Sequence, residues 1–374
     1  MMKQVLTVFL IFIMVIASIF IIYGFLVNDA QKKEMPDVFV GIDVAYDDLE
    51  AIKNLVDETS SYTNTFVIGT TGITSNVTKL NEIGQYIYDK ELYFIIYFEM
   101  PPPIEVLKDY KTMWGDRLLG FYAHDEIGGR QLDLYEYRFV QEAYNYSDAA
   151  NQFVSKVDSL LDDHYNESSN FRLFMSDYAL YWFDYKAGFD TVFAEFGWNY
   201  SRQLNVALNR GAATVQNKDW GVMITWTYTS PPYIESGAEL YKDLVYAYDN
   251  GAKYIFVFDT DKNYTQGILE GEHLEVLERF WQYMQDNPRA SADLSGRVAY
   301  VLPKDYGYGF RGPNDKIWGL WEADDFSIDI STNLGAMLNE YGTKLDIIYD
   351  DGLEPSNVYT YGEFIFWNGT VINP

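Results

Sequence analysis

Cysteine is absent from the 374 residues. That excludes disulfides, thiolate catalysis and Cys-based zinc sites together. Histidine is scarce, with only His124, His164 and His273. A multi-histidine metal centre is therefore nearly excluded, because catalytic zinc usually takes two or three imidazoles. Basic residues are outnumbered, 27 Lys and Arg against 55 Asp and Glu, for a formal net charge of -28. Phosphate binding needs clustered Lys and Arg, so nucleic acid is not an expected partner. The same balance suits a soluble surface in a salty exterior. Neither a Gly-x-Ser-x-Gly elbow nor a phosphate loop occurs. No cofactor and no metal are expected.

Hydrophobic residues make up 48% of the chain, enough for a sizeable core. Aromatics reach 18%, with 33 Tyr and 9 Trp. Flat rings stack on sugars, but they also fill cores, and composition alone does not separate the two uses. Residues 5–27 form an apolar run relieved only by Thr7, Ser18, Tyr23 and Gly24. Its length fits a bilayer-spanning helix. A secretory signal core is shorter and precedes a small-residue cleavage site, which is missing here. A retained single-pass anchor is expected, with the body outside the cell. The sequons at Asn76, Asn145, Asn166, Asn199, Asn263 and Asn368 support an exported, N-glycosylated body.

After a linker ending at residue 36, apolar runs alternate with helical patterns. The runs cover residues 38–44, 65–69, 92–98, 118–123, 172–175, 191–196, 221–226 and 253–258. Each reads as a continuous hydrophobic stretch, as parallel strands covered on both faces should. Eight strand–helix units in this length predict an α/β fold, a closed (β/α)8 barrel over residues 37–289. An open doubly wound sheet is the competing arrangement, and the count of eight favours closure. Residues 288–296 mark a boundary. Beyond it, strands alternate with at least one helix, which predicts a small α/β domain over residues 296–374.

Catalytic residues of such barrels sit where strands end and loops begin. Asp43, Glu99, Asp125, Glu126, Asp177, Glu195 and Asp259 stand at those ends, after six of the eight strands. All are expected to face one basin. The sharpest cluster is Tyr122-Ala123-His124-Asp125-Glu126, turning on Gly128-Gly129. The second is Glu195-Phe196-Gly197-Trp198-Asn199. Glycoside hydrolysis needs two carboxyl groups flanking the scissile bond: one protonates the leaving oxygen, the other attacks carbon or activates water. On this reading Glu126 is the acid and Glu195 the nucleophile or base, with Asp125 as the alternative within its dipeptide. Trp198, Asn199, Trp226 and Tyr228 are candidates for holding a sugar. Against this, the carboxylates could be helix caps, and Trp226 could be barrel packing. Arg210 and Lys218 are expected on the opposite rim, in structural roles.

The acid-Glu pair after strand four, the Arg210-Gly211-Ala212-Ala213 helix before Trp220-Gly221-Val222 and strand seven, and the appended α/β domain together resemble the beta-galactosidase-type (β/α)8 glycoside hydrolases. The resemblance is diffuse over residues 38–367 and nearest a membrane-anchored, archaeal-looking branch. It implies retaining hydrolysis with Glu126 as acid/base, and oligomer contacts through the appended domain. Two departures stand out. The family carries Asn-Glu after strand four, where this chain has Asp125-Glu126. The family places its nucleophile Glu on strand seven, where this chain has Thr225-Trp226-Thr227, and Glu235 lies well past that strand.

Two weaker signals are set aside. Gly307-Tyr308-Gly309-Phe310-Arg311-Gly312 matches a dinucleotide fingerprint, but Pro313-Asn314-Asp315 follows where a helix should open. Residues 259–263 loosely resemble a calcium loop without its Gly and Glu. Three functions therefore stand at this point: a membrane-anchored glycoside hydrolase, a non-catalytic carbohydrate-binding or cell-envelope protein on the same barrel, or another barrel hydrolase or lyase. The last would be favoured by a divalent ion among Asp43, Asp125 and Asp259.

Overall fold

A computed structural model of the chain describes residues 35–165, 171–289, 296–352 and 361–373. The expected anchor at residues 5–27, Asn166 and most of the expected boundary at 288–296 lie outside the described residues. Among the described residues, no helix is long and apolar enough to cross a membrane. Residues Val38–Pro374 form one compact unit.

The strands are β1 (Phe39–Val44), β2 (Thr65–Ile68), β3 (Tyr93–Phe98), β4 (Leu118–Ala123), β5 (Leu173–Asp177), β6 (Thr191–Phe196), β7 (Asp219–Ile224) and β8 (Tyr254–Asp259). They pair in sequence order, all parallel, and β8 closes on β1. Nearly every strand residue is buried, because the inner face fills the barrel and the outer face meets helices. Alternation along each strand decides which side a residue takes. Phe39, Tyr93, Phe174, Phe193, Tyr254 and Phe256 point inward and contact one another ring to ring, with Phe39 stacked on Tyr254 at 5.0 Å. The lower rim is closed by Arg172, Asp219 and Lys253.

The covering helices are α1 (Leu49–Thr59), α2 (Thr71–Thr74), α3 (Val77–Asp89), α4 (Ile104–Trp114), α5 (Ile127–Asp133), α6 (Tyr146–Tyr165), α7 (Tyr181–Lys186), α8 (Arg202–Val215), α9 (Gly237–Asp249) and α10 (Gly271–Asp286). Their starts follow local chemistry. The Asp48 side chain accepts from the Ala51 N–H to open α1, and Asn76 accepts from Thr78 and Lys79 to open α3. Each such cap satisfies donors that the helix itself leaves unpaired. Along α1, Ile52, Val56 and Thr59 face inward at helical spacing.

The C-terminal sheet comprises β9 (Val298–Leu302), β10 (Leu345–Tyr349), β11 (Glu363–Phe366) and β12 (Val371–Ile372), in the order β10-β9-β11-β12. All pairs are parallel except β11 with β12, and α11 (Asp325–Tyr341) connects β9 to β10. This sheet packs on α8. Gly211 lets the backbones meet: an added Cβ would lie 2.4 Å from the Ile347 carbonyl oxygen. Beside it Arg210, fully buried, pairs with buried Asp346 at 2.6 Å and donates to the Thr343 and Leu345 carbonyls. Arg210 therefore joins the two sheets rather than lying on the lower rim. Lys218 does sit low, paired with Asp190. The Gly307–Gly312 segment opens no helix. It leads to Trp318, buried against Phe153 and Phe183, and to Arg311, which grips Asp133 at the end of α5.

Candidate active site

The upper rim of the barrel holds a two-lobed cleft. The larger lobe, about 480 Å³, lies over β1 to β3 and is lined by Asp43, Asp47, Thr70, Tyr97, Glu99 and Tyr264 among others. The smaller, about 280 Å³, lies over β4 to β7 and is lined by Glu126, Arg130, Ser176, Glu195, Trp198, Thr225 and Trp226 among others. Asp43, Tyr122, Asp125, Phe258 and Tyr264 line both, so Asp125 stands at the junction.

Strand alternation sorts the strand-end carboxylates. Asp43 shares register with inward Phe258, and Glu195 with inward Met223, so both reach the cleft. Asp259 shares register with Val44, and Asp177 with Ala194, on the opposite face. Neither lines the cleft. The expectation that all of them face one basin is corrected accordingly. Asp259 accepts from the Ile268 N–H at 2.5 Å and the Leu269 N–H at 3.0 Å, and so holds the loop after β8. Asp177, wholly buried, accepts from the N–H groups of Gly128, Gly129, Tyr178 and Ala179.

That contact shapes the chemistry above it. His124 and Glu126 both adopt left-handed backbone, φ 65° and 51°, a conformation that ordinary residues adopt only when their surroundings enforce it. The Glu126 N–H donates to the Ser176 carbonyl at 3.0 Å, and Asp177 fixes the first turn of α5. Two consecutive β5 residues thus clamp the turn that presents Asp125 and Glu126. Burial and the nearby Glu126 push the Asp177 carboxyl up to about 8, against the pull of its amide donors.

Asp125 is ringed by donors. Tyr122 Oη donates to it at 2.6 Å and Ser176 Oγ at 2.8 Å, and the Arg130 guanidinium lies 4.0 Å away. Ser176 Oγ also lies 3.1 Å from Glu195 Oε1. Glu126 and Glu195 line the same lobe. Burial pushes Glu126 up to about 7, helped by the Asp125 charge and opposed by Arg130. Burial raises Glu195 too, with Glu126, Asp125 and Asp177 adding to it. Neighbouring carboxylates disfavour one another's ionisation. Both carboxyls are therefore easier to protonate than a free glutamate.

The remaining expected residues divide. Trp198, 37% exposed, and Trp226 wall the smaller lobe. Trp226 also packs on Phe258, Tyr233 and Tyr264, and donates to the Thr260 carbonyl. Glu99 sits exposed on the rim of the larger lobe. Asn199 and Tyr228 are exposed on their loops and line neither lobe. His124 also lies outside the lining, and burial lowers it to about 4, helped by His164 and Arg130. Glu235 is engaged by Arg202 at 3.4 Å, away from the cleft. The strand-seven end supplies Thr225 and Trp226 but no acid. Among the described residues, no group of His, Asp and Glu could hold a metal ion, so an ion shared by Asp43, Asp125 and Asp259 finds no support.

Sequence reasoning missed Ser176, Arg130, Tyr97 and Tyr264. Ser176 was within reach, because it precedes outward Asp177 and must therefore face inward. Arg130 lies one helical turn after Glu126, at 3.9 Å. Tyr264 arrives from a long loop and leaves no such signal.

No protein-family description matches the sequence, and no curated protein matches it. Among solved structures, the chain is similar to the beta-galactosidase of the psychrophilic Marinomonas ef1 at 11% identity and a TM-score of 0.54, over 88% of this chain and 72% of that one. It also overlaps the pneumococcal virulence factor StrH, studied for N-glycan recognition and hydrolysis, at 10% identity and a TM-score of 0.39 over 68% and 85% of the two chains. Orotidine 5'-monophosphate decarboxylase of Methanocaldococcus jannaschii overlaps at 9% identity and 0.34, over 67% and 98%. The last two overlaps are too loose to argue from. The likeness to the first is one of fold: an eight-stranded parallel barrel with a diffuse resemblance to glycoside hydrolases.

Proposed function

We propose that this chain is a glycoside hydrolase whose working pair is Glu126 and Glu195. The observation that carries the reading is that Glu126 and Glu195, delivered after β4 and on β6, line one lobe of the cleft, where burial and neighbouring charge raise both carboxyls. Hydrolysis needs one carboxyl protonated and its partner ionised, and neighbouring carboxyls in a buried cleft can divide their charge that way. The protonated member gives its proton to the glycosidic oxygen as the bond from C1 breaks. The ionised member attacks C1 or takes a proton from the attacking water. Asp125, held by two hydroxyl donors, steadies positive charge developing at C1. Trp198, Trp226 and Tyr264 offer faces for a sugar ring. Sequence pattern assigns the acid to Glu126.

The test is hydrolysis of a panel of aryl glycosides by Glu126→Gln and Glu195→Gln. Activated leaving groups need no proton. The variant that keeps activity on a dinitrophenyl glycoside but loses about 10²- to 10⁴-fold on an unactivated one identifies the acid. Wild-type rates from both variants would sink the proposal. A non-catalytic carbohydrate-binding protein is the second reading, favoured by the missing strand-seven acid. It requires sugar binding without turnover.

We also propose that residues 5–27 tether the protein to a membrane with the barrel outside. Retention in the pellet after alkaline carbonate extraction is expected, with release on deleting residues 1–36. Release of the intact chain would overturn the tether.

A further inference from the structure

The smaller lobe contains the proposed chemistry, but the larger lobe has its own character. It is lined by the carboxyl groups of Asp43, Asp47, Glu99 and Asp125, with no Lys or Arg among its described lining residues. An acidic rim alone means little in a chain this negative. The informative group is Asp43. It is 3% exposed, it lines both lobes, and its Oδ1 has no hydrogen-bond partner. Buried carboxyl oxygens normally find donors, and an unpartnered one needs an explanation.

The backbone is shaped around these groups. In the turn Gly69-Thr70-Thr71-Gly72, a Cβ on Gly69 would lie 2.0 Å from Asp43 Oδ1, and one on Gly72 would lie 2.0 Å from both Asp47 oxygens. Both glycines leave the space that a carboxyl occupies. Thr70 Oγ1 donates to Asp47 at 2.7 Å and fixes it. Thr70, Tyr97, Asn263 and Tyr264 in the lining suit sugar hydroxyls, while four carboxyls together repel an anionic sugar and favour a cationic one. An ammonium group supplies three donors and a positive charge.

We propose that the larger lobe is a subsite for the ammonium group of an amino sugar, anchored by Asp43. The proposal rests on the glycoside reading above and names its substrate class. Burial, with the Asp125 and Asp259 charges, raises the Asp43 carboxyl, and a cation beside it favours the ionised form.

The test is calorimetric titration of the full chain with four probes: a β-1,4-linked glucosamine tetramer, its fully N-acetylated form, a neutral glucose tetramer and spermine. The glucosamine tetramer is expected to bind at least about tenfold tighter than the other three. Asp43→Asn, folded by circular dichroism, is expected to lose roughly ten- to a hundredfold of that affinity, as for a charged hydrogen bond removed. Asp47→Asn, nearer solvent, is expected to lose a few-fold and decides the matter if Asp43→Asn fails to fold. Equal binding of the acetylated and free-amine oligomers, spermine binding as tightly as the tetramer, or an unchanged affinity in the folded variants would each overturn the subsite. Reducing ends are counted in the same samples. Amine-selective binding without hydrolysis overturns the hydrolytic reading and leaves the subsite standing. Hydrolysis of the neutral tetramer without amine preference does the reverse.

Discussion

Asp177 shows how a carboxylate at a strand end can govern a site without entering it. Its four backbone donors belong to the turn that carries Glu126 and to the loop after β5. Asp177→Ala strands buried N–H groups, each costing about 1–3 kcal/mol. A loss of about 3 kcal/mol or more is expected in urea unfolding, with activity falling alongside. A loss under about 1 kcal/mol would show that the turn stands without it. Glu126 makes a pH prediction. Its carboxyl rises from 4.5 to about 7 on folding, so the folded chain binds that proton more tightly than the unfolded one. The associated stability is fully present below about pH 4.5 and is lost as pH rises through about 7. Thermal melts from pH 4 to 8 should show this decline, and Glu126→Gln should flatten it. An unchanged slope in the variant would assign the decline to other groups.

At the scale of elements, α8 is the hinge of the architecture. One face packs on β6 and β7, and the other receives β10 through Arg210 and Gly211. Removing one member of a buried ion pair leaves the other uncompensated, typically at about 3–5 kcal/mol. Arg210→Met should therefore destabilise strongly in urea unfolding. Arg210→Met with Asp346→Leu should recover much of that loss, despite the Arg297 and Tyr361 contacts that Asp346 also makes. A double variant no better than the single one would mean that the pair's hydrogen bonds to Thr343 and Leu345 matter more than its charge. The β5–α5 junction is a second such element. Arg311 and Trp318 reach it from the C-terminal region, so the segment after β9 supports the helix that follows Glu126.

For the whole molecule these contacts predict dependence. A chain ending at residue 289 exposes the α8 face and the bed of Trp318, a contiguous apolar surface of the kind that drives association. Such a truncation is expected to be insoluble or to melt well below the full protein. A soluble barrel melting at the same temperature would show that the C-terminal sheet is only an appendage. The net charge of -28 makes a separate prediction. Self-repulsion among surface carboxylates is screened by salt. Raising NaCl from 0.05 to 0.5 M, both chosen conditions, should raise the melting temperature.

The barrel was legible in the sequence because eight apolar runs separated by amphipathic patterns leave few ways to bury both faces of a parallel sheet. The strand-four cluster was legible because it sits where one such run stops. Acidic composition and the lack of cysteine excluded other chemistries before any coordinate was needed. Tertiary structure decided what linear order could not. Closure of the barrel sent Asp43 and Glu195 inward and Asp177 and Asp259 outward, because side chains alternate along a strand and one residue's offset changes sides. It brought Glu126 and Glu195 into one lobe from two different strands, and placed Arg130 and Tyr264 in the same lining. Above all, it raised the carboxyls of that pair through burial and neighbouring charge, and both are properties of the folded chain.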